Sequence, residues 1–443
     1  MSKPYFGEIA AAVGILQPRG DEWGGFAVIQ GEKIITEAAK GKITPLLERE
    51  EKNLLDPKTM IFHVNQSPYN PQPAFIEESN IGSIALVFDG KITNRPELRK
   101  KSPYLVGAEA SIMARLIAAG QDPLDGLNNV YQNVQGTFSL VLLTQKGIFA
   151  ARDLMGIRPM VLGRFFNGDK VGCAVASESA GLEHVGMEII RDVRAGEIIA
   201  IEANGFKTIK QFAEASLVVC SFEHGYWARP SSVIESVYVG EARVNAGKKL
   251  ARNVPEADVV SSFPMSGNAI AEGLHQGSGI PYQSIFDYNA EPGGRSFLPF
   301  STALRAKRAK NKLVIMPWAI KGKRLIIVDD SIVEGNQTLS RIFAIKNAGA
   351  AEIHLRIETP PIKYPCPFDV TPRGNLLAAN HTIEEMRKIL RVDTLAFNTV
   401  EDFIEAIVST QSEKRKTEDP LKPSNLCVGC FTGEFPKNIN INL

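Results

Sequence analysis

A layered α+β half followed by an α/β half with a parallel sheet is the fold class this sequence predicts, and three observations predict it. From Tyr5 to about Arg229, short apolar runs of β type are separated by Gly, Asn, Asp and Lys turns. From about Ser236 the rhythm changes to strand, small-residue loop and helix, repeated. At 411–423 a stretch of Ser, Glu, Lys, Arg, Thr, Asp and Pro reads as a solvated linker ahead of a short cysteine-bearing tail. The expected divisions are 1–232, 233–410 and 411–443.

In the first part the strand candidates are residues 10–16, 25–30, 59–64, 83–88, 136–143, 147–151 and 198–202. Only 108–119 and 123–129 read as helix there, which implies largely antiparallel sheets in layers. In the second part, strand 257–260 leads through 261–267 into helix 268–277, and strand 324–328 leads through 329–338 into helix 339–349. Branched aliphatic strands that alternate with helices imply a parallel sheet covered on its faces.

Composition excludes several classes. The 443 residues are 44% hydrophobic and 22% charged, with 50 Lys+Arg against 49 Asp+Glu. A nucleic-acid binder needs a visible basic excess to neutralise phosphates, and none is present. No apolar stretch approaches the roughly 18 residues of a membrane span. Residues 1–7 carry no charged and apolar leader pattern, so the cytoplasm is the expected compartment. Five cysteines in such a chain are not expected to form a disulfide frame. The six His show no ligand spacing, so each is expected to be a surface or satisfied core residue.

The most informative stretch is 325–338, LIIVDDSIVEGNQT. A buried strand ends in Asp329 and Asp330; Ser331, Gly335, Asn336, Gln337 and Thr338 then form a small-residue loop that enters a helix. Loop N–H groups and the helix N-terminus can hold a phosphate, and the two carboxylates can accept hydrogen bonds from ribose hydroxyls. The same text also suits a plain turn with an N-cap.

The stretch 328–335 resembles the phosphoribosyl-diphosphate loop of type I phosphoribosyltransferases. The whole chain resembles the glutamine phosphoribosyl-diphosphate amidotransferases, the first committed enzymes of purine synthesis. The likeness is carried by QPRGD (17–21), AARDLMGIRP (150–159), ASE (176–178), 220–230, the loop above, 360–366 and 427–433. It implies an N-terminal-nucleophile-type αββα sandwich followed by a type I phosphoribosyltransferase domain. It also implies a ribose phosphate ligand, Mg2+ where that ligand is a diphosphate, and a homo-oligomer, with no nucleic-acid or membrane partner.

Departures from the family follow residue by residue. The segment AAAVGI (10–15) resembles the start of the family's glutaminase, where a terminal cysteine acts with its own amine; Ala10 stands at the nucleophile. The family's glutamine-clamping Arg falls on Asn65 and its oxyanion Asn on Asp89, where a carboxylate would repel developing charge. A family segment of about one helix is expected to be missing between Leu16 and Gln17. Glutamine hydrolysis is therefore expected to be absent. In the second domain Asp329, Asp330, Ser331, Gly335 and Thr338 fit the ribose-phosphate loop, but Glu334 replaces an Arg and Asn336-Gln337 a Thr pair. The diphosphate loop falls on 261–267, with Met265 for an acid and Ser266 and Gly267 as contacts. The cationic closing loop reads NAEPGG (289–294) before Arg295, and Pro317 replaces another Arg, which leaves Arg295, Lys312 and Lys323 as basic candidates.

Cys220, Cys366, Cys427 and Cys430 coincide with the ligands of a 4Fe-4S cluster in the iron–sulfur branch of the family. From the residues alone Zn would accept four thiolates equally well. Cys173 is expected to be a buried small hydrophobe, and His224 lies near Cys220 in sequence. Two readings remain: a transferase that uses ammonia or another nucleophile, or a non-catalytic iron–sulfur binding or assembly protein of the same fold.

Overall fold

The computed structural model describes residues 4–51, 53–54, 59–167, 170–202, 205–288, 313–370, 374–410 and 420–436. Its first element is a helix, α1 (Pro4–Leu16), where the apolar run at 10–16 predicts a strand. Ala10, Ala11 and Ala12 carry the best intrinsic helix propensity. Val13, with Ile9 and Ala10, packs into a cluster with Phe26, Ile43 and Leu47, so one apolar stripe serves the core and the helix prevails. A single turn at Gln17–Arg19 follows directly. The helix expected to be missing before Gln17 is thus present as α1, and Ala10 lies in its middle instead of heading a strand.

β1 (Trp23–Gln30) lies between β2 (Lys33–Lys40) and β3 (Met60–Asn65), antiparallel to both. α2 (Ile43–Glu50), a helix the periodicity did not predict, covers this small sheet. β4 (Ala74–Ile76), β5 (Ile84–Ile92), β6 (Gly136–Thr144) and β7 (Gly147–Arg152) belong to a second, larger sheet. Its outer face is covered by α3 (Arg95–Lys101), α4 (Glu109–Ala118) and α5 (Pro123–Asn133), through Leu98, Ile112, Met113, Ile117 and Leu127. β8 (Val161–Asn167) lies between β9 (Lys170–Ala176) and β10 (Glu188–Asp192), and α6 (Ser179–His184) packs on α1 beside it. β11 (Glu197–Glu202) and β12 (Gly205–Gln211) complete the larger sheet in the order β12-β11-β7-β6-β5-β4, antiparallel throughout. Helices, two three-stranded sheets, a six-stranded sheet and helices make the αββα sandwich.

β13 (Val219–Cys220) leads to the hairpin of β14 (Val233–Ile234) and β15 (Val237–Tyr238), and α7 (Val239–Leu250) follows. The second half is built on β16 (Val259–Ser262), α8 (Asn268–Ser278), a short pair β17 (Phe286–Tyr288) and β18 (Leu313–Ile315), α9 (Pro317–Ile320), β19 (Arg324–Asp329), α10 (Asn336–Asn347), β20 (Glu352–Ile357), α11 (Leu377–Asn380), α12 (Ile383–Leu390), β21 (Thr394–Phe397) and α13 (Val400–Val408). The main sheet is parallel, in the order β16-β19-β20-β21. Side chains of β19 alternate between two helix layers: Leu325 and Ile327 meet Ile342, Ile345, Met386 and Leu390, whereas Ile326 and Val328 meet Leu250, Ile270 and Leu274. That double burial is why this strand reads as one unbroken apolar run. The tail adds β22 (Leu426–Cys427), parallel to β13, and α14 (Gly429–Thr432). No described helix is long and apolar enough to cross a membrane.

Candidate functional site

At the carboxyl end of β19 the chain runs out of apolar residues, and Asp329 and Asp330 stand side by side, each 5% exposed. The Asp330 N–H donates to Asp329 Oδ1 at 3.0 Å, and Ser331 Oγ donates to Asp330 Oδ2 at 2.6 Å. The backbone N–H groups of Glu358 and Thr359 donate to the carbonyls of Asp329 and Asp330 at 3.0 Å each, so the end of β20 fixes the pair from behind. Burial, then the neighbouring Asp330, pushes the Asp329 carboxyl well above its usual range, with Arg341 opposing. Two adjacent carboxyls at a strand end present four oxygens to the hydroxyls of a vicinal diol.

Gly335 turns the chain into α10 with φ of 80°, a conformation that favours glycine; a Cβ there would also meet Leu377 Cδ2 at 2.9 Å. α10 therefore starts at Asn336, three residues before the expected 339, and its first N–H groups face the loop that Asp330 and Ser331 open. Thr338 is buried in this first turn. Glu334, which accepts a long hydrogen bond from Asn336 Nδ2 at 3.4 Å, adds negative charge beside the same helix end.

The loop after β16 comes to the same end of the sheet. Phe263 N–H donates to the Val328 carbonyl at 2.9 Å, and a Cβ on Gly267 would lie 2.7 Å from that oxygen, so Gly267 and Ser266 sit one strand away from the acids. Ser262 Oγ donates to Asn268 Oδ1 at 2.7 Å. Arg295, Lys312 and the loop 289–294 lie outside the described residues. Lys323 is a correction: it precedes the first residue of β19 and donates to Gln283 Oε1 at 3.0 Å. Six residues of strand, roughly 20 Å, separate it from Asp329, so it cannot serve a diphosphate there. Three groups that no motif marks are near the acids. Arg341, one turn beyond Thr338, lies 4.9 Å from the Phe263 ring. Tyr226 reaches over from the first half, its hydroxyl pushed up by burial and then by Asp330 and Asp329. Glu358 is buried, and burial raises its carboxyl well above the usual range. Only Arg341, at helical spacing from Thr338, carries a signal that sequence reading could have used.

In the first half a cavity of about 1820 Å³ lies under α1. Asn65 and Asp89 both line it, with Arg19, His63, Arg158 and Cys173. Asn65 is occupied locally: its Nδ2 donates to the Asn70 carbonyl at 2.6 Å and its Oδ1 accepts from Ser67 N–H at 2.7 Å. Burial would lift the Asp89 carboxyl, but Arg158, Arg19 and His63 outweigh it and hold the group below its usual range. Arg19 lies 3.6 Å and Arg158 3.7 Å from it. Arg19 also forks onto Glu223 at 2.9 and 3.0 Å and reaches Glu178 at 2.9 Å. His63 is pushed down to about 4 by burial, so it is neutral. Cys173 corrects the expectation of a buried hydrophobe: it is half-exposed and lines the cavity.

The four other cysteines come together from distant parts of the chain. Cys220 pairs across β13 and β22 with Cys427. Lys363 and Tyr364 N–H both donate to the Cys430 carbonyl, at 2.9 and 3.0 Å, which brings the loop of Cys366 to α14. Cys220, Cys366 and Cys430 share an apolar cluster with Phe222, Phe368 and Phe431. Burial and then the neighbouring thiols push Cys220 and Cys430 well above the usual thiol range, and burial carries Cys427 up to about 11. No three His, Cys, Asp or Glu side chains among the described residues stand close enough to hold a single ion. The tail also docks through its own side chains, since Leu421, Leu426 and Phe431 are buried; residues 411–419 of the linker lie outside the described residues.

A family profile for a glutamine amidotransferase domain matches residues 60–184. The chain is 32% identical over 440 residues to the amidophosphoribosyltransferase of Bacillus subtilis strain 168, a match that covers 96% of this chain and 90% of that protein. It is 31% identical over 442 residues to the Archaeoglobus fulgidus protein of the same name, covering 96% and 93%. Among solved structures, a glutamine phosphoribosylpyrophosphate amidotransferase from B. subtilis complexed with ADP and GMP matches with a TM-score of 0.85 at 30% identity, over 98% of this chain and 96% of that one. A structure described as the allosteric regulatory enzyme of purine biosynthesis matches at 0.86 and 30%, over 99% and 95%.

Proposed function

Because the chain belongs to the amidophosphoribosyltransferase family, we propose that its second half binds phosphoribosyl diphosphate or a related ribose phosphate and that its first half does not hydrolyse glutamine. The observation that carries the reading is the buried pair Asp329 and Asp330 at the carboxyl end of the parallel sheet, one residue from Ser331 and five from the turn at Gly335 into α10. Asp329 and Asp330 bind the two ribose hydroxyls, and the first N–H groups of α10 hold the 5-phosphate. Ser266 and Gly267, at the next strand end, face the diphosphate, with Mg2+ accompanying it. With ammonia as nucleophile, a C1–N bond forms as the C1–O bond to diphosphate breaks and the nitrogen releases a proton, a reaction of the kind that opens purine biosynthesis. Loss of glutamine hydrolysis is supported by Asp89, which two arginines keep ionised where an oxyanion would develop, and by Asn65, whose side chain is spent on its own loop. Ala10 lies in the middle of α1 and heads no strand.

Cys220, Cys366, Cys427 and Cys430 are the ligands we assign to a 4Fe-4S cluster. The donor set fits: four thiols converge, Cys220, Cys366 and Cys430 buried and Cys427 partly so, and two of them come from a CxxC turn. A tetrahedral Zn site, with Zn–S of about 2.3 Å, needs sulfurs roughly 3.8 Å apart. Burial and then Cys427, Cys366 and Cys430 raise the Cys220 thiol, so the four are neighbours, as either group requires, and the cluster is preferred on the match to the family's iron–sulfur branch. When bound, the cluster would supply a covalent tie between the tail and both halves, and the protein's part is to exclude water from it with Phe222, Phe368 and Phe431. A non-catalytic iron–sulfur protein is the second reading, favoured by Glu334, whose charge opposes phosphate at the head of α10.

The test is calorimetric titration of anaerobically purified protein with ribose 5-phosphate and phosphoribosyl diphosphate, with and without Mg2+. Saturable binding of at least one supports the proposal. No heat with either would leave the second reading.

A further inference from the structure

A third buried acid, Glu358, stands beside the pair at the end of β19. It follows the last residue of β20 and is 1% exposed. The N–H groups of Glu358 and Thr359 donate to the Asp329 and Asp330 carbonyls at 3.0 Å each, so the chain still runs alongside the acids after the strand has ended. Ile357, the register partner of Asp329, joins the apolar cluster of Ile342 and Leu390. Alternation therefore turns Glu358 to the opposite face, toward α7. Asn398 Nδ2 holds the Glu358 carbonyl at 2.9 Å and also donates to the Ala246 carbonyl of α7 at 3.2 Å.

The carboxyl itself is left open on this face. Glu358 Oε2 is buried and has no hydrogen-bond partner. Two charges act on the group, Arg243 from α7 and Asp330 from the end of β19. Arg243 is 2% exposed, and its guanidinium donates to the backbone carbonyls of His224 and Ala228 at 2.8 Å each, with no ion pair to Glu358 among the described residues. A buried acceptor without a partner costs about 1–3 kcal/mol, and more when charged, a cost that a purely structural ion pair would remove by closing the gap. Tyr226 is also within reach of Asp330 and Arg243, so all four groups share one neighbourhood. Carbon C1 of a ribose is two bonds from its 2-hydroxyl oxygen, so a sugar held by Asp330 brings C1 to that neighbourhood. Burial lifts the Glu358 carboxyl well above its usual range, against Arg243 and with Asp330, which suits it to take a proton near neutral pH.

We propose that Glu358 accepts the proton that the nitrogen nucleophile sheds at C1; this rests on the ribose-phosphate reading above. As the C1–N bond forms and the C1–O bond to diphosphate breaks, the nitrogen becomes a cation. One N–H proton passes to Glu358 Oε2, which leaves a neutral amine on C1, and the protonated carboxyl returns the proton to water as product leaves. The enclosed position fits ammonia or another small amine. The test follows diphosphate release from phosphoribosyl diphosphate and Mg2+ by the full-length protein, with free ammonia held constant from about pH 6 to about pH 9. The parent rate should rise with pH and level off. Glu358→Gln, with Glu358→Ser as a second variant, should lower kcat roughly 100-fold or more and lose the rise. Calorimetry should find phosphoribosyl diphosphate affinity within about threefold of the parent. Hydroxylamine, whose nitrogen is more acidic once bonded, should shrink the variants' deficit about tenfold. A variant kcat near the parent's, a pH rise that survives in the variants, or an equal deficit with both nucleophiles would overturn the proposal. A parent that binds phosphoribosyl diphosphate but releases no diphosphate with ammonia overturns it and leaves the binding reading standing, whereas a parent that binds no ribose phosphate removes both.

Discussion

Replacing both acids, Asp329→Asn with Asp330→Asn, separates a ligand site from a structural turn. Asn keeps an acceptor for the Asp330 N–H and for Ser331 Oγ, so both hydrogen bonds within the pair survive. What is lost is the charge that receives a ribose hydroxyl. A hydrogen bond to a charged group contributes about 1.5–3 kcal/mol, so affinity for ribose 5-phosphate should fall roughly 10- to 100-fold. Stability should move the other way. A carboxyl whose folded pKa is raised, as burial and Asp330 raise Asp329, contributes stability that is complete below the unfolded value near 3.9 and is lost as pH rises through the folded value. At neutral pH the parent has lost that contribution and the Asn variant has no such loss. The variant should therefore melt at an equal or higher temperature at pH 7, and its advantage should vanish near pH 3. Calorimetric titration gives the affinity and thermal unfolding across pH gives the stability. Unchanged affinity, or a variant that melts lower at pH 7, would refute the reasoning and leave the acids as part of a turn.

The parent should release no glutamate from glutamine above a reagent blank; sustained release that co-purifies with the protein would show that Asp89 and Asn65 do not disable the site. Glu334→Arg should raise ribose 5-phosphate affinity about tenfold, by removing a like charge and adding a charge-assisted donor at the helix end, and no gain would place Glu334 away from the ligand. Anaerobically isolated protein should contain about four iron and four sulfide per chain, and Cys427→Ser should lose both and expose the tail at residues 420–436 to proteolysis. Stoichiometric zinc in colourless protein would replace the cluster by a Zn site. Acidification through the lowered carboxyl of Asp89 should cost stability, because a depressed carboxyl stabilises above its unfolded pKa and loses that contribution as pH falls through the folded one; Asp89→Asn should show a flatter acid limb in a melting series.

Where one face decides, the sequence was readable. The β5, β6, β7 and β11 runs and helices α4 and α5 fall where period and turn residues place them, since half-burial imposes a two-residue or a 3.6-residue period on the text. β19 was readable for the opposite reason, as both its faces are buried and its end is marked by a sudden pair of acids. The region 10–16 was misread because a short apolar run has no period of its own: Ala, Val, Ile and Leu fit either element, and contact with Phe26 and Ile43 on one stripe selects the helix. α2 and α6 were missed because eight- and six-residue helices leave too few turns for a pattern.

By itself the sequence determined the order of the two halves, the acid-ended loop and the CxxC of the tail, because each is a local pattern of residue types, whereas Cys220 and Cys366 joined that CxxC only through the family resemblance. Tertiary structure alone decided which of them share a place. It brought Gly267 beside Val328, ruled Lys323 out by the length of a strand, and set Tyr226 and Arg341 near the acids. It also left β3 and β9 paired on one side only among the described residues, both lining one cavity. Sheet order and strand register join residues far apart in the chain, and nothing in the local spacing of side chains encodes which edge is left without a neighbour.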